Sequence, residues 1–347
     1  MRLLSIRHVH LLGSFSLCLL LSGLLTDMAC AQETISVRDF GAVGDGQNDD
    51  AQAIQTAIQM ALEKQVDVLF PAGVYLVRST LTVPPGVGLR GRGNNSYWNA
   101  PLAGSTIRRD GKLAEATMIC QGQNRITGLC FDGGDSQQTA IQFVDVEEHG
   151  RGRYCTISMC TFWRHSIGLD GNYKSHETWI ENCRFHQMGI GILNFPDSRV
   201  HNCTFSNCRT ASISLATGDT NITFCTIEFG GGIVLTDDHD NQISDIRFDR
   251  TWGPSILATK SKNLLIGSCS FQRSGADVKN NPLRNSHIAL LECDGVTIVP
   301  GRTKADRSDD LPDVTPLHSI TLRHSRNVEI TGSAWLSGCT GQPVLEE

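Results

Sequence analysis

The chain contains 347 residues and carries a formal net charge of −6 at pH 7. Its 40% hydrophobic and 19% charged residues are ordinary proportions for a globular protein, and its length allows one large domain or two modest ones. An acidic chain offers no broad basic surface, which argues against nucleic acid as a partner.

The first 31 residues predict a signal peptide. Two arginines precede an apolar run at 11–25, and Ala29 and Ala31 have the small side chains of a signal-peptidase site. We expect cleavage between Ala31 and Gln32. The apolar run is too short for a membrane span. We therefore expect no membrane span and a mature protein that is secreted or periplasmic, and we expect a monomer.

Residues 32–65 predict a strand followed by a capping helix. Ile35 and Val37 alternate as in a strand, and apolar residues from Ala51 to Leu62 recur at helical spacing. Asp49 and Gln52 have the spacing of a capping box at the start of this helix. We expect the helix to cover the N-terminal end of the next segment, which would otherwise expose its core and a strand edge.

The next segment, residues 66–335, repeats a unit of about 22 residues. An aliphatic residue opens each unit: Ile126, Ile157, Ile180, Val200, Ile222, Ile243 and Ile266. An apolar residue, usually phenylalanine, follows five positions later: Phe131, Phe162, Phe185, Phe205, Ile227, Phe248 and Phe271. Two apolar residues separated by one other close the unit: Ile141/Phe143, Ile167/Leu169, Ile190/Ile192, Ile213/Leu215, Ile233/Leu235, Ile256/Ala258 and Ile288/Leu290.

This repeat predicts an all-β fold. Alternating apolar residues are typical of strands, so each unit supplies about three short strands. A unit of this size cannot bury its own apolar face and must stack on its neighbours. Three strands per unit with short turns describe a parallel β-helix, in which equivalent residues stack about 4.8 Å apart. We place the last turns at 287–298 and 318–330, and we expect residues 336–347 to form a tail.

Cysteine recurs three positions after the opening residue of most units. The series comprises Cys160, Cys183, Cys203, Cys225 and Cys269, with Ile246 in place of one cysteine. A straight row at strand spacing cannot surround a zinc ion. Disulfides between neighbouring turns remain an alternative, since the Cα separation would suit them, but we favour free, buried thiols. Cys155 and Cys208 fall outside the series, and we expect them to be more exposed.

Three stretches resemble the opening of the pectate lyase superfamily: DFGAVGDGQNDDAQAIQTAI at 39–58, VLFPAGVYLV at 68–77 and VGLRGRG at 87–93. The nearest group is the rhamnogalacturonase/epimerase-like pectate lyase domain. The resemblance implies a single-stranded, right-handed parallel β-helix. It also implies a protein that binds, cleaves or epimerises an acidic polysaccharide. The opening motif is structural, so the chemistry has to be sought in a site.

In this family the substrate groove runs along one sheet, which corresponds here to the closing strand of each unit. Its outward residues are predicted to be Gln142, Gly168, Gly191, Ser214, Val234, Leu257 and Ala289. This floor contains no carboxylate and no base. The catalytic carboxylates and the calcium triad of the family have no match here, and only His165 matches a family residue in kind.

The turns on either side of this groove carry charged residues. The turn before each strand is mainly basic and is called here the basic wall. Its catalytic candidates are Arg164, His165, His186 and Arg209, and its substrate-binding candidates are Arg250 and Arg273. In the mainly acidic turn after each strand, the catalytic candidates are Asp237, Asp238 and His239, and the substrate-binding candidates are Asp170, Glu177 and Lys260. The alternative is that these are ordinary solvated turn residues.

Two reactions fit such walls. β-Elimination needs a cation beside the substrate carboxylate and a base for the adjacent proton, and arginine can bind a uronate through two hydrogen bonds. Hydrolysis would instead use the acidic cluster as general acid and base. No cofactor is required by the sequence. Ca²⁺ is the one it suggests, with Asp237, Asp238 and Asp240 as oxygen ligands.

The sequence therefore predicts an exported lyase or glycoside hydrolase that acts on an acidic, uronate-containing polysaccharide. The rival hypothesis is a non-catalytic β-helix that binds glycan or serves as a surface scaffold, because the predicted groove floor is neutral.

Overall fold

The computed structural model describes residues 33–93, 104–112, 115–134, 138–144, 154–275, 285–299, 301–304, 315–332 and 339–347. The predicted signal peptide lies outside these residues. Within them the chain winds into three parallel sheets that enclose one core, so the predicted right-handed parallel β-helix is confirmed. No helix among the described residues has both the length and the apolar character needed to cross a membrane.

Each turn of the helix contributes one strand to each sheet, and the sheets follow one another along the chain as sheet A, sheet B and sheet C. Sheet A comprises Thr34–Ser36, Asp67–Leu69, Gly88–Arg90, Arg125–Thr127, Thr156–Ser158, Trp179–Glu181, Arg199–His201, Asn221–Thr223, Gln242–Ser244, Lys262–Gly267, Asp294–Ile298 and Arg326–Ile330. Sheet B comprises Asp45–Asp49, Gly73–Val77, Ser105–Arg109, Leu129–Asp132, Thr161–Trp163, Arg184–His186, Thr204–Ser206, Thr226–Glu228, Arg247–Asp249, Ser270–Gln272 and Arg302–Lys304. Sheet C comprises Leu81–Val83, Met118–Cys120, Thr139–Phe143, Ile167–Asp170, Ile190–Leu193, Ala211–Leu215, Gly231–Thr236, Trp252–Thr259, Ser286–Leu291, His318–Arg323 and Val344–Glu346.

The first two recurring positions of the repeat are confirmed in register. The opening residues pair from Ile126 to Ile266 in sheet A, one to each turn. The phenylalanine positions pair from Phe131 to Phe271 in sheet B. Because parallel pairing places like residues side by side, the phenylalanine rings stack. Phe185 lies between Phe162 and Phe205, with ring centroids 4.9 and 4.8 Å away.

The cysteine series is buried where sheet A turns into sheet B, and its thiols are free, as predicted. Each is held by main-chain carbonyls, for example Cys183, whose Sγ lies 3.3 Å from the carbonyl oxygen of Glu181. The prediction for Cys155 and Cys208 was wrong, since both are fully buried. Cys155 points inward at the corner between sheets C and A, and Cys208 points inward at the corner between sheets B and C.

The capping helix, α1, spans Ala51–Lys64 and buries Ala51, Ile54, Ala57, Ile58 and Ala61 against the first turns. Its link to sheet C is a pair of hydrogen bonds between the Gln55 amide and the backbone of Thr82, both 2.9 Å long.

The predicted capping box does not form in the described chain. Asp50, rather than Asp49, is the N-cap residue of α1, and its carboxylate accepts hydrogen bonds from the backbone of Val43 and Gly44 in the preceding loop. Asp49 accepts from the backbone of both Ala51 and Arg78 instead. The acidic pair therefore ties the preceding loop to the start of α1.

The third recurring position shifts by two residues within sheet C. Leu169 and Ile192, rather than Ile167 and Ile190, stand in register with Ile141 and Ile213. Leu169 and Ile192 are buried, whereas Ile167 and Ile190 are only half-buried, so the alternation expected from the sequence did not reveal the shift. At the chain's end, Val344–Glu346 pairs with the strand His318–Arg323, so the segment expected to be a tail contains a strand of sheet C.

Truncation of Phe185 to alanine should destabilise the protein by about 3–5 kcal/mol, because it opens a cavity inside the ring stack. The matched control is Phe224→Ala at an exposed ring, which should change stability little, since 59% of Phe224 is exposed. Denaturant unfolding of both variants gives the comparison. Equal losses of stability in the two variants would show that a ring in the stack contributes no more than an exposed phenylalanine ring.

The eleven cysteines from Cys120 to Cys339 should all react with an alkylating reagent in denaturant without prior reduction, because all are free thiols. In the folded protein ten of them are buried and should be protected. Mass spectrometry of alkylated samples counts the modified residues. Each disulfide would remove two labels and lower the unlabelled intact mass by about two units, and this result would contradict the free-thiol assignment.

Candidate functional site

Three arginines of the predicted basic wall, Arg164, Arg250 and Arg273, are held in ion pairs at the corner between sheets B and C. Asp132 is fully buried and binds Arg164 through both carboxylate oxygens, at 2.7 and 3.0 Å, and Arg108 at 3.0 Å. The Arg164 guanidinium also lies over the ring of Trp163, 4.1 Å from its centroid. Arg164 is therefore held by a structural clamp rather than free to meet a substrate.

A second clamp of the same kind surrounds Asp249. Arg273 binds its carboxylate at 3.0 Å, Arg247 at 2.8 Å and Arg250 at 3.4 Å. Asp249 is almost completely buried, and its burial is offset by these three cations. Arg250 and Arg273, predicted to bind substrate, thus neutralise an internal carboxylate.

His165 does not line a groove. Its side chain is fully buried inside the helix. Burial, with the charge of Arg109 as a second cause, lowers the pKa of His165 from 6.5 to about 3, so the ring is neutral at physiological pH. Its catalytic role stays a prediction, and a ring buried in this way is not placed to touch a substrate at the surface.

The two remaining residues of the basic wall lie apart from each other. His186 belongs to sheet B, in register with Trp163 and Ser206, and burial lowers its pKa. Arg209 is exposed just before the strand Ala211–Leu215. The structure therefore does not bring the four catalytic candidates of this wall together.

The floor of sheet C differs from the prediction because of the two-residue shift. Asp170 and Leu193, not Gly168 and Gly191, stand in line with Gln142 and Ser214. The Asp170 carboxylate accepts a hydrogen bond from the Gln142 amide at 3.3 Å and from the backbone of Asn172 at 2.8 Å. The floor thus has one carboxylate, while the glycines face the interior phenylalanine stack.

The corner between sheets C and A, called here the C–A corner, gathers exposed carboxylates in a row. One residue on each turn adopts a left-handed backbone conformation, and these residues stand one above the other because each lies two positions before an in-register residue of sheet A. The row comprises Gln123, Tyr154, Glu177, Asp197, Asp219, Asp240, Asn263, Gly295 and Asn327. Four consecutive members are acidic, and we call them the acid row: Glu177, Asp197, Asp219 and Asp240.

A second row runs parallel to the acid row on sheet A. It comprises Thr156, Trp179, Arg199, Asn221 and Gln242, which pair in register. The residues between the two rows point inward and are polar or small: Cys155, Thr178, Ser198, Thr220 and Asn241. They satisfy one another and the backbone, as when Asn241 Oδ1 accepts from the Thr220 N–H at 2.8 Å.

Between the two rows lies a groove of about 530 Å³, called here the corner groove. Its lining consists of Tyr154, Glu177, Trp179, Asp197, Ser198, Arg199, Asp219 and Asn221. Tyr154 is 61% exposed and Trp179 is 48% exposed, which is unusual for large aromatic side chains. A cavity of this size with aromatic faces and convergent polar groups has the features of a ligand-binding site.

Two of the four carboxylates in the acid row have a histidine partner. Asp197 lies 2.6 Å from His176 Nδ1, and Asp240 lies 2.9 Å from His239 Nδ1. These contacts fix the positions of two carboxylates, while Glu177 and Asp219 remain exposed at the groove.

The predicted calcium ligands do not converge. Asp238 points inward, where its carboxylate accepts hydrogen bonds from Asn241 at 2.6 Å and from Ser261, and burial raises its pKa. Asp237 is exposed and lines a second cavity. Among the described residues, the ligand atoms that could meet at a metal ion are instead those of Asp219, His239 and Asp240, which lie within 4.8 Å of one another.

The second cavity, of about 460 Å³, lies nearer the C-terminal end of the C–A corner. Lys260, predicted to bind substrate, lines it with Asp237, Lys262, Glu292, Cys293, Asp294, His324 and Arg326. Acidic and basic side chains are mixed here, and Arg326 is paired with Asp294 at 2.8 Å.

The corner groove combines residues that the sequence-based selection left out, above all Trp179 and Arg199. A signal for them exists in the repeat. The acid row stands three positions before each opening residue, and the second row stands one position before it. Aligning those two columns would have shown four successive acids beside an aromatic residue and an arginine.

A family model described as rhamnogalacturonase A/epimerase, pectate lyase-like, matches residues 34–234. The chain belongs to this family. The resemblance found in the sequence is therefore confirmed.

Similarity to curated proteins is local. The tail spike protein of Shigella phage Sf6 is 41% identical over 85 residues, which is 22% of this chain and 14% of that protein. A glucan 1,3-beta-glucosidase of Cochliobolus carbonum is 46% identical over 52 residues, 15% of this chain and 7% of that protein. The chain thus spans less than a sixth of either relative.

Solved structures extend the similarity over most of the chain. The A-module of the mannuronan C-5 epimerase AlgE6 of Azotobacter vinelandii aligns with a TM-score of 0.65 at 17% identity, covering 90% of this chain and 94% of that one. The DFA-IIIase of Arthrobacter chlorophenolicus aligns with a TM-score of 0.66 at 12% identity, covering 91% and 85%. At such low identity the likeness establishes the fold alone.

The His165→Met variant should unfold less readily in acid than the wild type. Methionine is chosen because Met188 is buried at the equivalent position of the next turn. The histidine is neutral when folded but takes up a proton when unfolded, so its contribution to stability is present above pH 6.5 and is lost as the pH falls toward 3. Thermal unfolding of both proteins across this range tests the effect. Parallel pH profiles would contradict the buried, neutral assignment.

Proposed function

We propose that this protein is a carbohydrate-active β-helix that hydrolyses a polysaccharide in the corner groove. The observation that carries the proposal is the meeting of exposed aromatic rings with a row of carboxylates in one cavity. Aromatic faces suit the apolar faces of pyranose rings, and carboxylates supply the acid and base that glycoside hydrolysis needs.

The reacting pair is assigned to Asp197 and Asp219. They occupy neighbouring turns of the acid row, and turns are spaced about 4.8 Å apart. Retaining glycosidases hold their two carboxyl groups about 5–5.5 Å apart, and the backbone spacing of neighbouring turns is close to that separation. His176 fixes Asp197, which suits a nucleophile that must attack from a set position. Asp219 then protonates the leaving oxygen and later activates water.

Elimination in the groove first predicted along sheet C is disfavoured because of where its cations lie. Arg164, Arg250 and Arg273 of that groove's basic turns are bound to Asp132 and Asp249, and His165 is buried and neutral. They do not supply the base and the enolate-stabilising cation that elimination requires. The family membership and the fold support a carbohydrate substrate without naming it.

Asp197→Asn and Asp219→Asn should each lower turnover by about 10²–10⁴-fold, because each removes one of the two proton-transferring or attacking groups. Purified mature protein is incubated with a panel of polysaccharides, and reducing ends are measured together with the ultraviolet absorbance of unsaturated sugars. Reducing ends without new absorbance would support hydrolysis, whereas rising absorbance would show a lyase.

The matched control is Asp245→Asn. Asp245 is exposed and shares the left-handed backbone conformation of the acid row, but it lies at the corner between sheets A and B. It should keep full activity. Binding of a glycan by the wild type with no cleavage would instead support the rival function, a glycan-binding scaffold.

A further inference from the structure

Four cysteines of the buried series occupy consecutive turns at the corner between sheets A and B. They are called here the thiol row: Cys160, Cys183, Cys203 and Cys225. The strands on both sides of the row pair in register, so the four cysteines are aligned as well. Ile246 ends the row, and the next cysteine, Cys269, stands in register with Ile246 and Gly301.

The four thiols of the row have the same orientation, because each makes the same two contacts. Each Sγ atom lies 3.3–3.4 Å from the carbonyl oxygen two residues earlier in the chain. Each also lies 3.5–3.9 Å from a carbonyl oxygen of the preceding turn. Side chains that are equivalent in this way repeat at the spacing of the turns, so neighbouring sulfur atoms stand about 4.8 Å apart.

This spacing suits a metal ion that holds two ligands in a straight line. A bond between a thiolate sulfur and a metal ion is about 2.3 Å long, so a linear sulfur–metal–sulfur unit spans about 4.6 Å. Cu(I) and Ag(I) form such two-coordinate units, and soft thiolate ligands select Cu(I). The straight row that cannot surround zinc therefore offers neighbouring pairs of sulfur ligands to a linear ion.

The rows on either side of the thiols favour a two-coordinate ion over other metals. Ile180 and Val200 on sheet A and Phe185 and Phe205 on sheet B flank the central thiols, and all four are buried. Their side chains exclude water and offer no third ligand. Zn²⁺ and Ca²⁺, which need four or more ligands, are therefore disfavoured at this corner.

We propose that the thiol row binds Cu(I) inside the β-helix, with one ion between Cys160 and Cys183 and a second between Cys203 and Cys225. Burial raises the pKa of Cys183 and of Cys225, so these thiols hold their protons at neutral pH until an ion arrives. Each ion then takes the place of the two thiol protons of its pair, which pass to solvent. Two new metal–sulfur bonds form, and each site has one net negative charge.

The first experiment uses Ag(I), which has the same charge as Cu(I) and is not oxidised during the measurement. Silver nitrate is titrated into the reduced mature protein in chloride-free buffer, with excess free histidine to occupy weak sites. The protein carries Cys339→Ser, which removes a thiol that is not buried. A long incubation lets ions enter through local opening. Native mass spectrometry should show two ions that depend on the row, and their absence would overturn the inference.

Two double variants then remove the same number of thiols but leave different neighbours. The variant with Cys160→Ser and Cys225→Ser keeps Cys183 beside Cys203 and should lose one of the two ions. The variant with Cys183→Ser and Cys203→Ser leaves two thiols about 14 Å apart, too far for one ion to bridge, and should lose both. Equal ion counts in the two double variants would contradict pairwise binding.

The matched single variants guard against a double variant that fails to fold. Cys269→Ser removes a buried thiol at the same corner whose in-register neighbours are not cysteines, and it should keep both ions. Cys203→Ser should lose one ion, because only the pair of Cys160 and Cys183 remains. Serine is chosen because its hydroxyl can donate to the same carbonyl oxygens. The same count in both single variants would reject the row as the site.

The coordination of Cu(I) gives an independent readout. The protein is loaded with Cu(I) without oxygen, and X-ray absorption at the copper edge counts the neighbours of each ion. Two sulfur atoms at about 2.3 Å are expected. A shell of three or four sulfur atoms, or one of nitrogen and oxygen, would overturn the linear site. The outcome does not depend on the corner groove, which lies at a different corner of the helix.

Discussion

Hydrogen bonding between successive turns of the β-helix determines where every side chain of this protein lies. Each turn pairs in parallel register with the next, so a residue type at one position is repeated about every 4.8 Å along a row. For apolar residues the repetition is favourable, and it produces the stacked rings around Phe185 and the buried cysteine series. For charged residues the same geometry places like charges beside one another, and the repulsion between them has to be compensated.

The chain compensates in two ways, according to burial. Inside, single carboxylates are surrounded by arginines from neighbouring turns, as at Asp132 and Asp249, because an unpaired buried charge is very costly. At the C–A corner, water screens the carboxylates, and the acid row persists with only partial pairing to His176 and His239. The first group stabilises the fold, and the second remains available for chemistry.

The same register gives the protein a surface suited to a repeating polymer. Rows that run parallel to the helix axis present equivalent groups at intervals close to the length of a sugar residue. The corner groove occupies a stretch where those rows change character, from aromatic to acidic on one side and from aromatic to cationic on the other. Family membership accounts for the scaffold, while the identity of these few residues accounts for the proposed chemistry.

The sequence by itself determined the architecture. The spacing from Ile126 to Phe271 specified the β-helix and the in-register stacking of two of the three sheets, because each repeat must bury its apolar face against the next. Sequence spacing also identified the capping helix and the free cysteine series. These features depend on local periodicity, which a linear chain displays directly.

Only the tertiary structure decided which charges are free. Arg164 and Asp132 lie one turn apart in space but 32 positions apart in sequence, so a local sequence pattern cannot reveal that they pair. Asp237 and Asp238 are adjacent in sequence, yet one is exposed and the other is buried against Asn241 and Ser261. The corner groove arises in the same way. Its residues come from four successive turns, and only the winding of the chain brings them to one surface.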